Sequence, residues 1–399
     1  MKQPKLTVKQ LLNGIPAAYL EGLADVFQSD LHSKKLSSRE LFQLLLMGFL
    51  GTTPLSWRVL EEHYKGTLFQ KRFSPTSNSI DHSSINERLE KMPIEFFEQL
   101  FQFSLSLLEK YYTPKDYKRY NIIRFDSTSI TLSAKLLSNG LSGAGYPNNS
   151  SKPWKQVKFS VGFNGTCAVN AKAFFEKVYY SEDIALAEVI SETSFRKNDV
   201  LVFDRGLSGK QQLKKLTLED INFVGRLKAN TAFKACETVT FSAPQSKESD
   251  TVEIIEDLLI HRMSSNFRKP MDVPFRLVIC RIKETDEEMY LITNMLNITA
   301  LEVTEIYKLR WDIELFFRFL KQNMHFDHLL SRKEYIINIV MYMSLITASM
   351  IYVYRRVNEI EGFKIAKKRF QNELIEGLIE IIGKINQNQS PTIGNLAEP

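Results

Sequence analysis

Tyr307 to Lys321 reads YKLRWDIELFFRFLK, and the spacing of its polar residues decides how the rest of the chain is read. At about 100° per residue, Tyr307, Arg310, Glu314 and Lys321 fall within an arc of roughly 60° on one helix, with Arg318 beside them. Ile313, Phe316, Phe317 and Leu320 fill the adjoining arc. Such a helix packs one stripe on a core and aims a carboxylate, a phenol and three cations at one place. A lone carboxylate among cations suits a metal ion and a polyanion.

Two acids upstream follow apolar runs. Asn121-Ile122-Ile123-Arg124-Phe125-Asp126 reads as a strand ending in an acid, with Ser127 to Ser133 continuing extended. Asp199 to Asp204 (DVLVFD) reads as a buried strand ending in a second acid. Between them lie a Gly, Ser, Asn and Pro-rich loop over 134–153 and a strand pair at Val157–Phe163 and Thr166–Phe175. That pair turns at Asn164-Gly165 and is followed by a helix over 182–194. After Asp204 come a helix over 208–217 and a strand from Ile221 to Leu227. The order is three strands, helix, strand, helix, strand. This predicts an α/β fold with a ribonuclease H-like mixed sheet and helices on both faces. Open sheets place their chemistry at the carboxyl ends of strands, where Asp126 and Asp204 fall.

The pattern Y-x2-R-x3-E-x6-K, with Trp311 after the arginine, resembles the signature of bacterial cut-and-paste DDE transposases of the insertion sequence 4 family. The contexts FDST at Asp126 and FDRG at Asp204 resemble the same family. The likeness covers about residues 75–350 and is most specific at 307–321. It implies that Asp126, Asp204 and Glu314 form a catalytic triad. Clustered carboxylates repel one another unless a cation neutralises them. The implied cofactor is Mg²⁺ or Mn²⁺, two ions about 4 Å apart, activating a water or a 3′-hydroxyl and stabilising the leaving oxygen.

Arg310 and Lys321 are assigned to phosphates, and Tyr307 to a hydrogen bond with a phosphate. Arg318 shares their face outside the motif. Arg205, Lys228 and Lys158 are candidate backbone contacts by location, with plain surface charge the alternative. The implied partners are double-stranded DNA, as transposon ends and as target, and a second copy in a dimer that synapses two ends. The implied activity is binding of terminal inverted repeats, metal-dependent cleavage and strand transfer. A non-transposing nuclease of this fold and a domesticated, inactive DNA-binding protein are the alternatives.

Composition agrees without deciding. At 399 residues and 44% apolar content the chain is long enough for two or three globular domains. Its net charge of +6 is mildly basic. Cys167, Cys236 and Cys280 form no CxxC pair, which argues against a zinc site and fits a reducing bacterial cytoplasm near the nucleoid. No signal peptide is read at the amino terminus. Ile336 to Tyr354 is uncharged and long enough to span a membrane, but its Asn338, Ser344, Thr347 and Ser349 favour a buried core helix and no membrane contact.

The expected organisation is a helical DNA-binding domain over 1–115 and a first catalytic segment over 116–229. A mostly β insertion over 230–297 follows, then a second catalytic segment over 298–354 with the signature helix. Residues 355–399 are expected to be helical to about Ile385, serving either a dimer contact or packing. In well-studied relatives a Trp in the insertion stacks on a flipped base during hairpin formation. Here Trp57, Trp154 and Trp311 all lie outside it, leaving Phe241, Phe267, Phe275 or Tyr290 as stacking candidates without a motif.

Overall fold

The structure, a computed structural model, describes residues 5–114, 117–131, 141–142, 155–207, 209–238, 248–263 and 273–388. Phe241, Phe267, Trp154 and most of the 134–153 loop lie outside these residues. The chain divides into two compact units. Residues 1–112, 322–331 and 335–399 form the first, and 113–321 with 332–334 the second.

The first unit is helical. From the amino-terminal half it takes α1 (Val8–Asn13), α2 (Ala17–Val26), α3 (Ser38–Leu50), α4 (Trp57–Lys65), α5 (Thr67–Phe73), α6 (His82–Glu90) and α7 (Ile94–Tyr111). From the end of the chain it takes α12 (Glu334–Val357) and α13 (Phe363–Asn388). Ser37 opens α3 with a capping box, its hydroxyl accepting from Glu40 N–H while the Glu40 carboxylate accepts from Ser37 N–H. Helix α3 is then buried on nearly every side, as its all-round apolar sequence demands.

Helix α12 is equally apolar. Two of its buried hydroxyls are satisfied within the helix: those of Thr347 and Ser344 donate to the carbonyls of Met343 and Met341, each at 2.8 Å. It is buried within the unit, as a core helix should be. Leu6 and Asn358 exchange two hydrogen bonds (3.1 and 2.8 Å), and Glu373 accepts from Val8 N–H (3.0 Å). Residues 335–399 belong to this unit, and Tyr342 of α12 packs on Phe101 of α7 with ring centroids 5.5 Å apart. Nearly all of α12 completes the amino-terminal helical unit, where sequence placed it in the second catalytic segment. The reason is that its apolar surface has the long apolar helices as partners.

The second unit is built on one ten-stranded sheet. Its elements are β1 (Asn121–Thr131), β2 (Leu141–Ser142), β3 (Lys155–Phe163), β4 (Ala168–Phe174), α8 (Glu182–Ser191), β5 (Asp199–Phe203), α9 (Lys210–Leu218) and β6 (Asn222–Leu227). They continue with β7 (Phe233–Thr238), β8 (Val252–Met263), β9 (Phe275–Ile282), β10 (Glu288–Thr293), α10 (Ala300–Lys308) and α11 (Trp311–Asn323). The order β4-β3-β1-β5-β6 joins three antiparallel strands to two parallel ones, the expected ribonuclease H-like arrangement.

Strands β10, β9, β8 and β7 then extend the same sheet, because β10 pairs with β6. The insertion is therefore β-rich, as expected, but it lengthens the core sheet. Arg276 on β9 fixes this extension from inside. Fully buried, it forks onto Asp257 of β8 (2.8 and 2.7 Å) and donates to the carbonyls of Met295 and Ile298. A buried guanidinium survives only when so fully paired.

Strand alternation sorts the sheet into two cores. Ile123, Phe125, Leu201 and Phe203 face α8 and α9, meeting Leu186, Val189, Leu213 and Leu216. Ile122, Val200, Val202 and Val224 face α10, meeting Val303, Ile306 and Tyr307. Phe275 is fully buried in the first of these cores, so it offers no stacking face to a base, and Tyr290 packs against the same cluster.

Candidate active site

Register brings the first two acids together. Strands β1 and β5 are parallel, with Phe125 paired to Phe203 as the last pair. Asp126 and Asp204 are the next residues on each, about 5 Å apart by strand spacing. Beyond this point β1 continues against β3 alone, so Asp126 sits mid-strand where sequence placed it at the end. It nevertheless stands at the carboxyl edge of the parallel pair. Alternation points Arg124 and Asp126 to the side of α10 and α11.

The signature does not lie on one unbroken helix. Helix α10 ends at Lys308 and α11 begins at Trp311. Between them the N–H groups of Leu309, Arg310, Asp312 and Ile313 each donate to a carbonyl three residues back. The residues between the two helices thus form a tight turn of i−3 hydrogen bonds. Tyr307 closes α10, Arg310 occupies the turn, and Glu314 and Lys321 ride on α11.

Arg124 holds that junction to the sheet. Its side chain is fully buried. Nε donates to the Leu309 carbonyl (3.0 Å), Nη1 to the Ile122 carbonyl (2.6 Å) and Nη2 to Asp312 Oδ2 (2.9 Å). It thus gives the Leu309 carbonyl, which already accepts from Asp312 N–H, a second donor and pairs with the first turn of α11. Phe316 of α11 stacks on Phe163 of β3, with centroids 4.3 Å apart and planes 12° apart.

The polar groups then interlock. Tyr307, 7% exposed, donates from its hydroxyl to Asp204 Oδ1 at 3.1 Å. Sequence assigned that hydroxyl to a phosphate; in the folded chain it orients an acid. Burial, and then the Asp204 charge, raise its pKa, so it remains a donor. Arg310 reaches Glu314 Oε1 with Nη2 (2.5 Å) and Asp126 Oδ2 with Nη1 (3.6 Å), while its buried Nε has no partner. Asp126 Oδ1 accepts from Ser127 N–H (2.8 Å). Burial, then the neighbouring Glu182 and Asp204, push the Asp126 carboxyl up to about 7, against the opposing Ser127 N–H and Arg310.

Among the described residues no three His, Cys, Asp or Glu side chains already converge tightly enough to hold an ion. Arg310 instead spans Asp126 and Glu314. The donor set is nonetheless that of a hard divalent cation: carboxylate oxygens only, carrying more negative charge than the local cations balance.

The candidate basic residues divide by exposure. Arg205, Lys228 and Arg318 are exposed, and Lys321 is half-buried on α11. Arg205 stands 3.7 Å from Glu287. Lys158 is the exception: it is 6% exposed, and its ammonium donates to the Tyr180 carbonyl (2.6 Å) and faces Glu182. It balances charge inside the site and is withdrawn from the surface contact expected of it. Sequence missed two residues here. Arg124 reads as one polar position in an apolar strand, and Glu182 as an ordinary acid in a helix's first turn. Only the spacing of Arg124 two residues before Asp126, on the same strand face, hinted at either.

Residues 117–350 match the Transposase DDE domain family. A protein assigned as the transposase of insertion sequence element IS4SA from Synechocystis sp. is 24% identical over 279 residues, 69% of this chain and 72% of that protein. The transposase y4zB of Sinorhizobium fredii is 24% identical over 159 residues, 40% and 43% of the two chains. Among solved structures, a piggyBac transposase synaptic complex with hairpin DNA aligns with 97% of this chain and 83% of that one, at 11% identity and a TM-score of 0.48.

Proposed function

This chain belongs to the family of transposases with a DDE domain, and on that premise we propose that it binds the terminal inverted repeats of its own element, cleaves the ends and joins them to target DNA. The observation that carries the proposal is the placement of two acids by strand register and of a third by an arginine bridge. Asp126 and Asp204 lie side by side past the last β1–β5 pair, and Glu314 is tied to Asp126 through Arg310.

Asp126, Asp204 and Glu314 would hold Mg²⁺ or Mn²⁺, which when bound supplies Lewis acidity and lowers the pKa of an attacking water or 3′-hydroxyl. The chain's other residues prepare that centre. Tyr307 fixes the rotamer of Asp204 through its hydroxyl. Arg310 bridges Glu314 and Asp126 and offsets part of their charge; its unpartnered Nε leaves it a donor to offer a scissile-strand phosphate. Arg205, Lys228, Arg318 and Lys321 would follow the DNA backbone, an attraction that weakens steeply with salt. Two copies would synapse two ends.

Strand transfer separates this reading from a nuclease of the same fold. Purified protein should join pre-cleaved element ends carrying a free 3′-hydroxyl to a supercoiled plasmid, in Mg²⁺ or Mn²⁺ and at low salt. Products should be absent with ends terminated by a 3′-deoxynucleotide. Nicking of the plasmid without joining would replace the transposase by a nuclease.

A further inference from the structure

A fourth carboxylate stands beside the three acids of the DDE set. Glu182 opens α8, the helix that follows the antiparallel strands β1, β3 and β4. Its carboxyl lies within hydrogen-bonding reach of the Asp126 carboxyl. It also lies close enough to Asp204, Arg310 and Lys158 to interact with each charge. A second feature fixes its position. A Cβ built on Gly206 would fall 2.4 Å from Glu182 Cδ and 2.6 Å from its Oε2. Gly206 lies two residues beyond Asp204, so the turn leaving β5 passes directly beneath the Glu182 carboxylate. Only a residue without a side chain leaves room there.

The ordinary role of an acid in the first turn of a helix is to complement the exposed N–H groups. The neighbouring Asp183 reaches the start of α9, accepting from Gly209 N–H at 3.2 Å. Glu182 turns instead toward Asp126. Lys158, buried against Tyr180, gives it a counter-charge from behind.

We propose that Glu182 is a fourth acidic member of the catalytic centre: a positioning residue that holds the Asp126 carboxylate and adds its own charge to the divalent-cation site. This rests on the DDE reading. Partners that orient metal-binding side chains typically contribute 10–100-fold to affinity or activity.

The test is Mn²⁺ binding by the full-length protein, followed by electron paramagnetic resonance of the free ion, beside Mn²⁺ titration of end cleavage. Glu182→Gln keeps the shape and loses the charge. It should weaken Mn²⁺ binding by about tenfold or more and raise the Mn²⁺ needed for half-maximal cleavage by the same factor. Melting temperature and binding of end DNA should be unchanged, and Glu182→Asp should recover part of the loss. Wild-type protein that binds Mn²⁺ and cleaves, beside a Glu182→Gln variant within twofold of it, would overturn the proposal while leaving the DDE reading intact. Wild-type protein that neither binds Mn²⁺ nor cleaves would overturn both. If Glu182→Gln fails to fold, Gly206→Ala displaces the same carboxylate without removing it. It should weaken Mn²⁺ binding likewise, and unchanged affinity there would also sink the idea.

Discussion

The Asp126 carboxyl, buried beside Glu182 and Asp204, is held at about 7 in the folded chain against an ordinary value of 3.8. A pKa raised by folding means that the fold favours the protonated acid. Its contribution is fully present below about pH 4 and is lost as pH rises through about 7. A shift of this size is worth on the order of 4 kcal/mol. Without metal, the wild type should therefore lose stability relative to Asp126→Asn as pH rises from 5 to 8. Urea unfolding in the presence of EDTA would show it, and parallel pH profiles for the two proteins would contradict it. Adding Mn²⁺ at pH 8 should restore stability to the wild type alone, since a cation replaces the proton. The acid itself was legible in the sequence, because a polar residue ending an apolar run is conspicuous. Its charge state was not, because Glu182 comes from a separate helix and looks like any solvated acid.

At the scale of elements, the junction between α10 and α11 depends on Arg124. This side chain reaches across from β1 to the Leu309 carbonyl and to Asp312, 188 residues away in sequence. Arg124→Met should destabilise the protein by about 3–5 kcal/mol, because it leaves buried polar partners behind. Asp312→Asn should cost less, because the Asp312 side chain is itself part-exposed (34%). Denaturant unfolding measures both, and a loss below about 1 kcal/mol for Arg124→Met, the range of a surface pair, would remove the anchoring role. Helical periodicity exposed the signature face but not the break within it, since no Gly or Pro marks the turn at Leu309 and Arg310. The strands were legible from their apolar runs. That β10 joins β6, turning an insertion into an extension of the core sheet, is a matter of pairing, which local pattern does not encode. The same holds for α12, whose apolar surface announces burial without naming its partners.

Across the whole molecule, the ribonuclease H-like order sets β1 beside β5 and returns α11 against Arg124 and Phe163, and the proposed centre of Asp126, Asp204 and Glu314 depends on that order. The sequence pointed to the same three acids through strand-end positions and one spaced motif. The most direct test is cleavage of labelled DNA carrying the element's own ends by the full-length protein in Mg²⁺, with Asp126→Asn, Asp204→Asn and Glu314→Gln compared at matched DNA binding. Metal-dependent cutting at the element's end, lost by about a thousandfold or more in each variant, is the expected result, the scale seen when groups that act as a unit are removed. Cleavage that survives Glu314→Gln would contradict the assignment of α11 as the catalytic helix, and with it the account of how this centre is assembled.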